Sequence, residues 1–460
     1  MYKVDFNAPC RVYFMGIGGI SMSGLAEILL QADFTVSGSD IKESDITDTL
    51  KALGATIYIG QVAANITDDI DLVVYTAAIS EDNEEFVTAK KKNIPMLTRA
   101  ELLGQIMNNY KYGIAISGTH GKTTTTSMMS HVLLKADTDP TISIGGMLDV
   151  IGGNIRVGNS DYFVTEACEY TNSYHSFNPY ISIILNVDED HLDFFSGIDE
   201  IVESFKTFAH ILPEDGLLVI NGDMEHKERI VSELKCNIIT FGLESDNMYS
   251  ATDITFDEEG HPTYTLLVDG KKEEVISLHS TGIHNVVNSL SVIAVADFLK
   301  LDREAVKAGL NDCTSAKRRF EKKGVTENGV IVVDDYAHHP TEIKATLMAA
   351  TNTPHQELWC VFQPHTYTRT YALLDDFAEA LASCDHVILA DIYAAREKDT
   401  GMVSSKDLEE KINQLGGNAQ HIGDFLSIEK FLLKNCKKND LLITMGAGNV
   451  DLIGDSILKK

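Results

Sequence analysis

Residues 112–130, YGIAISGTHGKTTTTSMMS, run from an apolar segment through a glycine-flanked turn into a lysine and a block of threonines. A strand, a glycine-containing loop and a helix in this order are typical of a phosphate-binding loop. Gly118 and Gly121 allow backbone N–H groups to surround phosphate oxygens, and Lys122 can reach the terminal phosphates. The segment therefore predicts a nucleotide site between a strand and the helix that follows it.

Thr123 can offer its hydroxyl to a magnesium ion that accompanies the nucleotide. The next residues predict a helix whose positive N-terminal end faces the phosphates. The usual first glycine, five positions before Gly121, is Ile116 here, so the loop is shorter than the standard one. The alternative is a glycine turn with an unrelated lysine, but the flanking strand and helix favour nucleotide binding.

The chain is strongly acidic, because its 460 residues include 68 Asp and Glu against 38 Lys and Arg, a net charge of -30 at pH 7. This charge argues against nonspecific binding to nucleic acid and against docking on a membrane surface, so local basic groups must hold any anionic substrate. The N-terminal residues lack a signal-peptide pattern, and no apolar run approaches the length of a membrane span. We expect a cytoplasmic protein.

Three successive regions alternate apolar strand-like runs with helical segments. Residues 1–107 contain RVYFMG, FTVSGSD, ATIYIG, DLVVYTAAI and IPMLT, which predict a parallel sheet of Rossmann type. Residues 108–312 begin with the phosphate loop, and residues 313–460 alternate again after the polar, basic stretch CTSAKRRFEKK. We predict three α/β domains: an N-terminal Rossmann-like sheet, a central P-loop ATPase-like domain and a C-terminal Rossmann-like domain.

A glycine-rich turn directly follows the first predicted strand and consists of Gly16, Ile17, Gly18 and Gly19. Ser21 stands where a dinucleotide fingerprint has glycine, whereas Asp40, at the end of the second strand, is well placed for a ribose hydroxyl. The turn fits an anionic nucleotide-like ligand, a NAD site or a purely structural role. The phosphate loop elsewhere in the chain favours the first interpretation over redox chemistry.

Acidic side chains follow two strands of the second region, where ligands gather in open parallel sheets. Glu166 ends one strand, and residues 186–193, NVDEDHLD, follow another. Glu166 can ligate magnesium or pair with a lysine. His191 can ligate or catalyse, or it can be an exposed turn residue.

Further along the chain, Asn285 and Asn288 share one helix face and can bind adenine through their carboxamides, or Asn285 can cap the helix. Arg319 lies in the basic linker, where a solvated charge run is the default interpretation. Two strands of the third region are followed by acid, tyrosine, histidine and arginine side chains: Asp335, Tyr336, His338, His365 and Arg369.

These motifs together resemble the Mur ligases, the ATP-dependent amide-forming enzymes of peptidoglycan synthesis. The similarity covers essentially the whole chain and rests on six matches in the family's order: GIGGISMSGLA, GTHGKTTTT, TEACEY, NVDEDHLD, HNVVN, and DDYAHHP with FQPHTYTRT. It implies UDP-sugar binding by the first region, ATP and magnesium binding by the second, and amino-acid binding by the third. The implied substrates are UDP-N-acetylmuramate and L-alanine, and we expect a monomer or a weak homodimer.

The resemblance also implies roles for individual residues. The implied ATP contacts are Gly118, Thr119, His120, Gly121, Lys122, Thr123, Thr124, Asn285, Asn288, Arg319 and Asp335. The implied metal ligands are Thr123 and Glu166 for one magnesium ion and His191 for a second. The implied UDP-sugar contacts are Gly16, Ile17, Gly18, Gly19, Ser21 and Asp40. The implied amino-acid contacts are Tyr336, His338, His365 and Arg369. The implied catalytic residues are Lys122, Glu166, His191 and Arg319.

Two positions affect how closely the roles known in the family apply to this chain. Thr366 stands where many members of this ligase type have arginine. Lys206 follows His191 at about the distance of the carbamylated lysine of other Mur ligases, and the alternative is an ordinary surface lysine.

The implied reaction starts when the sugar's lactyl carboxylate attacks the γ-phosphate of ATP, and the amine of L-alanine then attacks the resulting acyl phosphate. A folylpolyglutamate synthase or a muropeptide-recycling ligase shares the ATP domain and is the nearest rival. An NAD-dependent oxidoreductase would bind NADH and not use ATP. A noncatalytic nucleotide switch would bind ATP without forming an amide.

Overall fold

A computed structural model describes residues 2–76, 78–192, 194–257, 259–313, 317–395 and 397–459. Asp193 of the NVDEDHLD segment lies outside the described residues, as do residues 314–316, which directly follow the predicted boundary at 313. Among the described residues, no helix is long and apolar enough to cross a membrane.

The first domain is built on five parallel strands. They are β1 (Arg11–Met15), β2 (Thr35–Asp40), β3 (Thr56–Ile59), β4 (Leu72–Tyr75) and β5 (Met96–Thr98). The helices are α1 (Ile20–Gln31), α2 (Asp45–Ala52), α3 (Glu84–Lys91) and α4 (Arg99–Met107), with a 3₁₀ turn at Ala63–Asn65. The spatial order β3-β2-β1-β4-β5 reverses direction at β1, so the turn at 16–19 lies at the switch point of a Rossmann-like sheet.

The second domain has a ten-stranded sheet. Its strands are β6 (Tyr112–Ser117), β7 (Thr141–Leu148), β8 (Gly153–Arg156), β9 (Tyr162–Glu166), β10 (Ile181–Ile184), β11 (Leu217–Asn221), β12 (Asn237–Phe241), β13 (Tyr249–Phe256), β14 (Pro262–Val268) and β15 (Lys271–Ser277). Its helices are α5 (Lys122–Lys135), α6 (Ile198–Ala209), α7 (Lys227–Val231), α8 (Ile283–Phe298) and α9 (Arg303–Asn311), with 3₁₀ segments at Asp149–Ile151 and Tyr170–Ser176.

This second sheet has the spatial order β15-β14-β13-β12-β11-β10-β6-β9-β7-β8. The parallel strands β9, β6 and β10 form its centre, so their carboxyl ends meet at one edge. Antiparallel pairing extends the sheet at both sides, through β8 at one end and through β14 and β15 at the other. The strand and helix patterns in the sequence do not predict these extensions.

The third domain has six strands. They are β16 (Glu321–Val325), β17 (Ile331–Asp335), β18 (Leu358–Phe362), β19 (His386–Ala390), β20 (Ala419–Gly423) and β21 (Leu441–Met445). The helices are α10 (Pro340–Thr351), α11 (Tyr367–Ala372), α12 (Leu374–Leu381), α13 (Ser405–Gln414), α14 (Phe425–Asn435) and α15 (Asp451–Ile457). The order is β16-β17-β21-β18-β19-β20, in which β16 is antiparallel to β17 and the other pairs are parallel. The predicted three-domain α/β fold is confirmed.

The domains are joined in two different ways. The first and second share one apolar core, in which Phe14 and Leu29 belong to the same cluster as Phe163 and Phe205. The third domain has its own apolar clusters and meets the second through polar side chains described below. An apolar join resists separation more than a polar one, so the first two domains form one packed unit and the third is the more easily displaced.

Candidate active site

The phosphate loop connects β6 to α5 in a backbone conformation that glycine favours. Gly118 and Gly121 have φ angles of +144° and +83°, which residues with a Cβ rarely adopt. The side chain of Asn186 fixes His120, one of the two residues between them, because its Oδ1 accepts the His120 N–H at 2.7 Å and its Nδ2 donates to the His120 carbonyl at 3.1 Å. Sequence reasoning placed Asn186 in a ligand-bearing segment but did not predict this role.

Lys122 begins α5 and is held by an acid that sequence reasoning missed. Its Nζ lies 3.0 and 3.3 Å from the carboxylate oxygens of Glu169 and donates to the carbonyl of Thr119 at 3.0 Å and to that of Gly118. Burial disfavours the charged amine, but the Glu169 carboxylate outweighs this effect and holds the pKa of Lys122 above its ordinary value. The ammonium therefore stays charged at the end of the loop.

Glu166, at the end of β9, makes a different contact. Within the described residues it does not pair with Lys122. Its Oε1 accepts the Gly145 N–H at 2.7 Å, and its Oε2 makes no hydrogen bond to a described residue. The hydroxyl of Thr123 is likewise without a partner there. Two oxygen donors with free lone pairs, at the edge where β6 and β9 end, fit a hard cation that also takes phosphate oxygens and water.

His191 follows β10 and is half-buried, so the exposed-turn interpretation is wrong. Its Nε2 lies 3.8 Å from oxygens of Glu169 and Asp190, and its ring packs on that of Tyr170 with centroids 4.6 Å apart. Burial lowers the pKa of His191, which favours a neutral imidazole with a lone pair for a metal. No cluster of three or more His, Cys, Asp or Glu side chains suited to a metal occurs in the part of the chain that the structure describes.

A cavity of about 190 Å³ opens between the second and third domains beside the loop. It gathers seven of the residues expected to contact ATP: His120, Gly121, Thr124, Asn285, Asn288, Arg319 and Asp335. The other four residues expected to contact ATP belong to the same loop and the start of α5: Gly118, Thr119, Lys122 and Thr123. All of them except Lys122, which is half-buried, are buried.

The two asparagines form one wall of this cavity. Asn288 Nδ2 donates to Asn285 Oδ1 at 3.0 Å, and Asn285 Nδ2 donates to the Thr281 carbonyl at 2.7 Å. The cap of α8 is Gly282, so helix capping by Asn285 is wrong. A Cβ on Gly121 would lie 3.2 Å from Asn288 Oδ1, so the glycine also makes room for this wall.

The opposite wall comes from the third domain. Burial raises the pKa of Asp335 to about 6 against the opposing effect of Arg319, and its two oxygens accept the N–H groups of Phe320 and Ala337, each at 2.7 Å. The Arg319 guanidinium stacks over the ring of Tyr336 at 5.2 Å. Asp335 thus shapes the wall that presents Arg319 to the cavity.

His120 connects the two walls electrostatically. Its Nε2 lies 3.0 Å from Asp188 of the second domain, and its Nδ1 lies 3.3 Å from Glu342 of the third. Burial lowers the pKa of His120, but the two carboxylates dominate and raise it to about 9. Glu342 also lies 3.2 Å from His338, so one buried carboxylate on α10 faces two histidines.

A second cavity of about 280 Å³ lies at the carboxyl ends of β17 and β18 and faces His191. It gathers all four residues expected to contact the amino acid: Tyr336, His338, His365 and Arg369. Arg369 reaches across the domain boundary, since its Nη2 and Nε donate to Asp190 Oδ1 at 2.8 and 3.1 Å. Burial opposes ionisation of Asp190, but Arg369 holds the pKa of that carboxyl below its usual range.

The N-terminal turn is shaped by an acid on the next strand. Gly18 donates its N–H to Asp40 Oδ2 at 2.9 Å, and Gly16 has a φ of +78°. Ile17 is fully buried in the core, whereas Gly19 and Ser21 are exposed at the start of α1. The turn can therefore offer backbone groups to a ligand, and Asp40 holds its conformation.

Three models of one family match the chain in succession: "Mur ligase family, catalytic domain" at residues 11–111, "Mur ligase middle domain" at 116–296, and "Mur ligase, glutamate ligase domain" at 318–448. The chain belongs to the Mur ligase family. This membership confirms the resemblance described above and rules out an oxidoreductase built on the N-terminal sheet.

This Mur ligase is similar over its full length to curated relatives. The UDP-N-acetylmuramate--L-alanine ligase of Lachnospira eligens is 58% identical, and that of Agathobacter rectalis is 55% identical, with 100% of both chains covered in each case. The crystal structure of UDP-N-acetylmuramate-alanine ligase from Thermotoga maritima matches with a TM-score of 0.81 at 29% identity, covering 98% of each chain. A murein peptide ligase from Psychrobacter arcticus shares the fold, with a TM-score of 0.70 at 24% identity over 98% of each chain.

Thr366 and Lys206, the two positions that bear on the resemblance, lie in the second cavity and on α6. Thr366 lines the second cavity with a φ of +65° and donates its N–H to the Tyr393 carbonyl at 2.9 Å. Lys206 lies half-buried on α6, and its ammonium makes no ion pair or hydrogen bond with the described residues. Carbamylation of Lys206 stays an untested prediction.

Proposed function

We propose that this Mur ligase forms the amide bond between the lactyl carboxylate of UDP-N-acetylmuramate and L-alanine, at the expense of ATP, in peptidoglycan precursor synthesis. The observation that carries the proposal is the full-length likeness to ligases of that name at 50–58% identity. The site geometry supports it, because a phosphate loop and a cavity rich in histidine and arginine meet at the carboxyl ends of two sheets.

The reaction proceeds in two steps, phosphoryl transfer and then amide formation. An oxygen of the lactyl carboxylate forms a bond to the γ-phosphorus of ATP as the bond to the β-phosphate oxygen breaks, which gives an acyl phosphate and ADP. The amine of L-alanine then attacks the acyl carbon, loses a proton, and inorganic phosphate leaves. Both steps develop negative charge on phosphoryl oxygens, so positioned cations lower the barrier.

The protein supplies these cations from the end of the phosphate loop and from the wall of the first cavity. The buried ammonium of Lys122 neutralises charge on the transferring phosphoryl group, and Arg319 contacts the phosphates from the third domain. Asn285 and Asn288 bind the adenine end of ATP. Thr123, Glu166 and His191 would hold magnesium, which, when bound, neutralises phosphate charge.

The second cavity orients the amino acid. Arg369 pairs with the carboxylate of L-alanine while Asp190 holds the guanidinium in place. Tyr336, His338 and His365 line the rest of the cavity and limit the size of the side chain that fits. Thr366 lines the cavity too.

Phosphate release from ATP tests this function. The assay contains magnesium and UDP-N-acetylmuramate, with and without L-alanine, glycine, L-serine or L-glutamate, and mass spectrometry identifies the product. We expect release that requires both UDP-sugar and L-alanine, with a product of the amide's mass. Release without dependence on the UDP-sugar would favour a folate-type ligase, and use of a muropeptide instead of L-alanine would favour the recycling ligase.

Variants of α5 link that activity to the loop. Lys122→Ala should cost at least about 3 kcal/mol of transition-state stabilisation, as expected for loss of a preorganised charge. Lys135→Ala, at the other end of the same helix and paired with Asp312, is the matched control and should retain activity. Near-normal turnover by folded Lys122→Ala protein would refute the assignment of the loop.

We further propose that the reaction takes place in the cytoplasm, where both nucleotide substrates are available, and that the working assembly is a monomer or a weak homodimer. Sedimentation velocity over a range of protein concentrations tests the assembly. A stable higher oligomer at low concentration would contradict it.

A further inference from the structure

Most arginines of this acidic protein are neutralised by carboxylates. Within the described residues, six arginines have a carboxylate partner within 4.0 Å: Arg11, Arg156, Arg229, Arg303, Arg318 and Arg369. The other two described arginines, Arg99 and Arg319, have none. Arg319 lines the cavity proposed for ATP. Arg99 therefore has neither a carboxylate partner nor a role in the sites described above.

Arg99 lies on the ligand edge of the first sheet. It is the first residue of α4 and directly follows the carboxyl end of β5, at the same edge as the turn at 16–19. A reciprocal cap fixes its backbone, since Glu101 donates its N–H to the Thr98 hydroxyl at 3.2 Å and accepts the Thr98 N–H at 2.7 Å. The side chain thus starts from a rigid position.

The same helix packs directly against the second domain. A Cβ on Gly104 would lie 1.9 Å from the Ser176 carbonyl oxygen, so only glycine permits this approach of α4 to the 3₁₀ segment 170–176. The segment before it contains Cys168 and Glu169, and Glu169 binds Lys122. α4 therefore runs from the edge of the first sheet to the second-domain segment that follows Glu169.

Arg99 is half-buried, and its guanidinium has no hydrogen bond to a described residue. Burial lowers the pKa of Arg99, and the effect that opposes this shift comes from Cys168 rather than from a carboxylate. Leaving a partly desolvated cation unpaired is unfavourable, and the chain has many acids that could have paired with it.

We propose that Arg99 binds an anionic oxygen group of UDP-N-acetylmuramate, either its lactyl carboxylate or its diphosphate. This inference rests on the proposed function and adds a substrate-binding residue to it. A planar guanidinium can pair with carboxylate or phosphate through two parallel hydrogen bonds. Arg99 lies at the edge of the first sheet that carries the N-terminal turn, on a helix that packs against the domain of Lys122. This position suits a substrate that starts at the first sheet and must reach the γ-phosphate.

Equilibrium binding to the full-length protein tests the proposal, with UDP-N-acetylmuramate, UDP and an ATP analogue as separate probes. Arg99→Met removes the charge at similar side-chain length. Arg229→Met is the matched control, because it removes an arginine on helix α7 of the second domain that is paired with Asp199 and Glu203. We expect Arg99→Met to bind UDP-N-acetylmuramate at least about 10-fold more weakly, in line with loss of a charge-assisted hydrogen bond. The control and the ATP analogue should be unaffected.

The UDP probe distinguishes the two anionic groups. If Arg99 binds the diphosphate, Arg99→Met weakens UDP binding as much as UDP-sugar binding, whereas a carboxylate contact leaves UDP binding unchanged. Equal binding of UDP-N-acetylmuramate by unaltered protein and Arg99→Met would overturn the inference. Parallel loss of ATP-analogue binding would also overturn it, since it would indicate a structural role. Failure of the unaltered protein to bind the UDP-sugar would instead refute the proposed function.

Discussion

Replacing Glu169 by glutamine should destabilise the second domain, because it removes the countercharge of a buried ammonium. The side chain of Lys122 is 15% exposed and that of Glu169 is 3% exposed, and their charged atoms are 3.0 Å apart. At that separation the attraction is roughly 5 kcal/mol for an effective dielectric constant of about 20. Glutamine keeps the size of the side chain and one oxygen acceptor, so the loss of unfolding free energy measures the effect of the charge alone.

The expected loss of unfolding free energy is about 3–5 kcal/mol, the range for breaking one partner of a buried pair. For a domain of this size each kcal/mol lowers the midpoint by roughly 2–4 °C, so the transition of the second domain should fall by at least about 6 °C. Differential scanning calorimetry at neutral pH measures this shift.

Asp312→Asn is the matched control for the charge change. It breaks the pair between Lys135 and Asp312, whose side chains are 45% and 48% exposed, and exposed pairs contribute about 0–1 kcal/mol. If Glu169→Gln lowers the midpoint no more than Asp312→Asn does, the ion pair does not hold the lysine, and the reasoning fails.

Three further predictions follow from the site. Glu342→Gln should lower stability most between about pH 4.5 and 6.5. Burial opposes ionisation of Glu342, but His338 and His120 hold the pKa of that carboxyl well below its ordinary value of 4.5, and, against the effect of burial, Asp188 and Glu342 raise the pKa of His120 to about 9. The difference from the unaltered protein should therefore shrink as pH falls below 4.5 and as pH rises through about 9, and a pH-independent difference in urea midpoints would contradict this. Asn186→Ala removes both hydrogen bonds to the His120 backbone and should weaken ATP-analogue binding by about 1–3 kcal/mol, so unchanged affinity in calorimetry would show that the loop holds itself. Glu166→Ala should raise the magnesium concentration needed for half-maximal activity, and an identical magnesium titration would remove Glu166 from the metal site.

The two kinds of domain contact have a functional consequence. The third domain meets the second through charged and polar groups, among them His120 with Glu342 and Asp190 with Arg369. Both proposed substrate cavities open at this boundary, so movement of the third domain would admit ATP and the amino acid while the first two domains stay packed together.

The sequence alone determined the features that depend on neighbouring residues. The alternation of apolar runs and helices predicted three α/β domains, and the strand, glycine turn and helix around Lys122 predicted the phosphate loop, because backbone conformation and hydrophobic periodicity are local properties. Tertiary structure alone decided which side chains meet: Glu169 rather than Glu166 pairs with Lys122, Asn186 clamps the loop, and Glu342 reaches His120 from another domain. Such pairings depend on strand order and on the relative placement of domains, which no short stretch of sequence encodes.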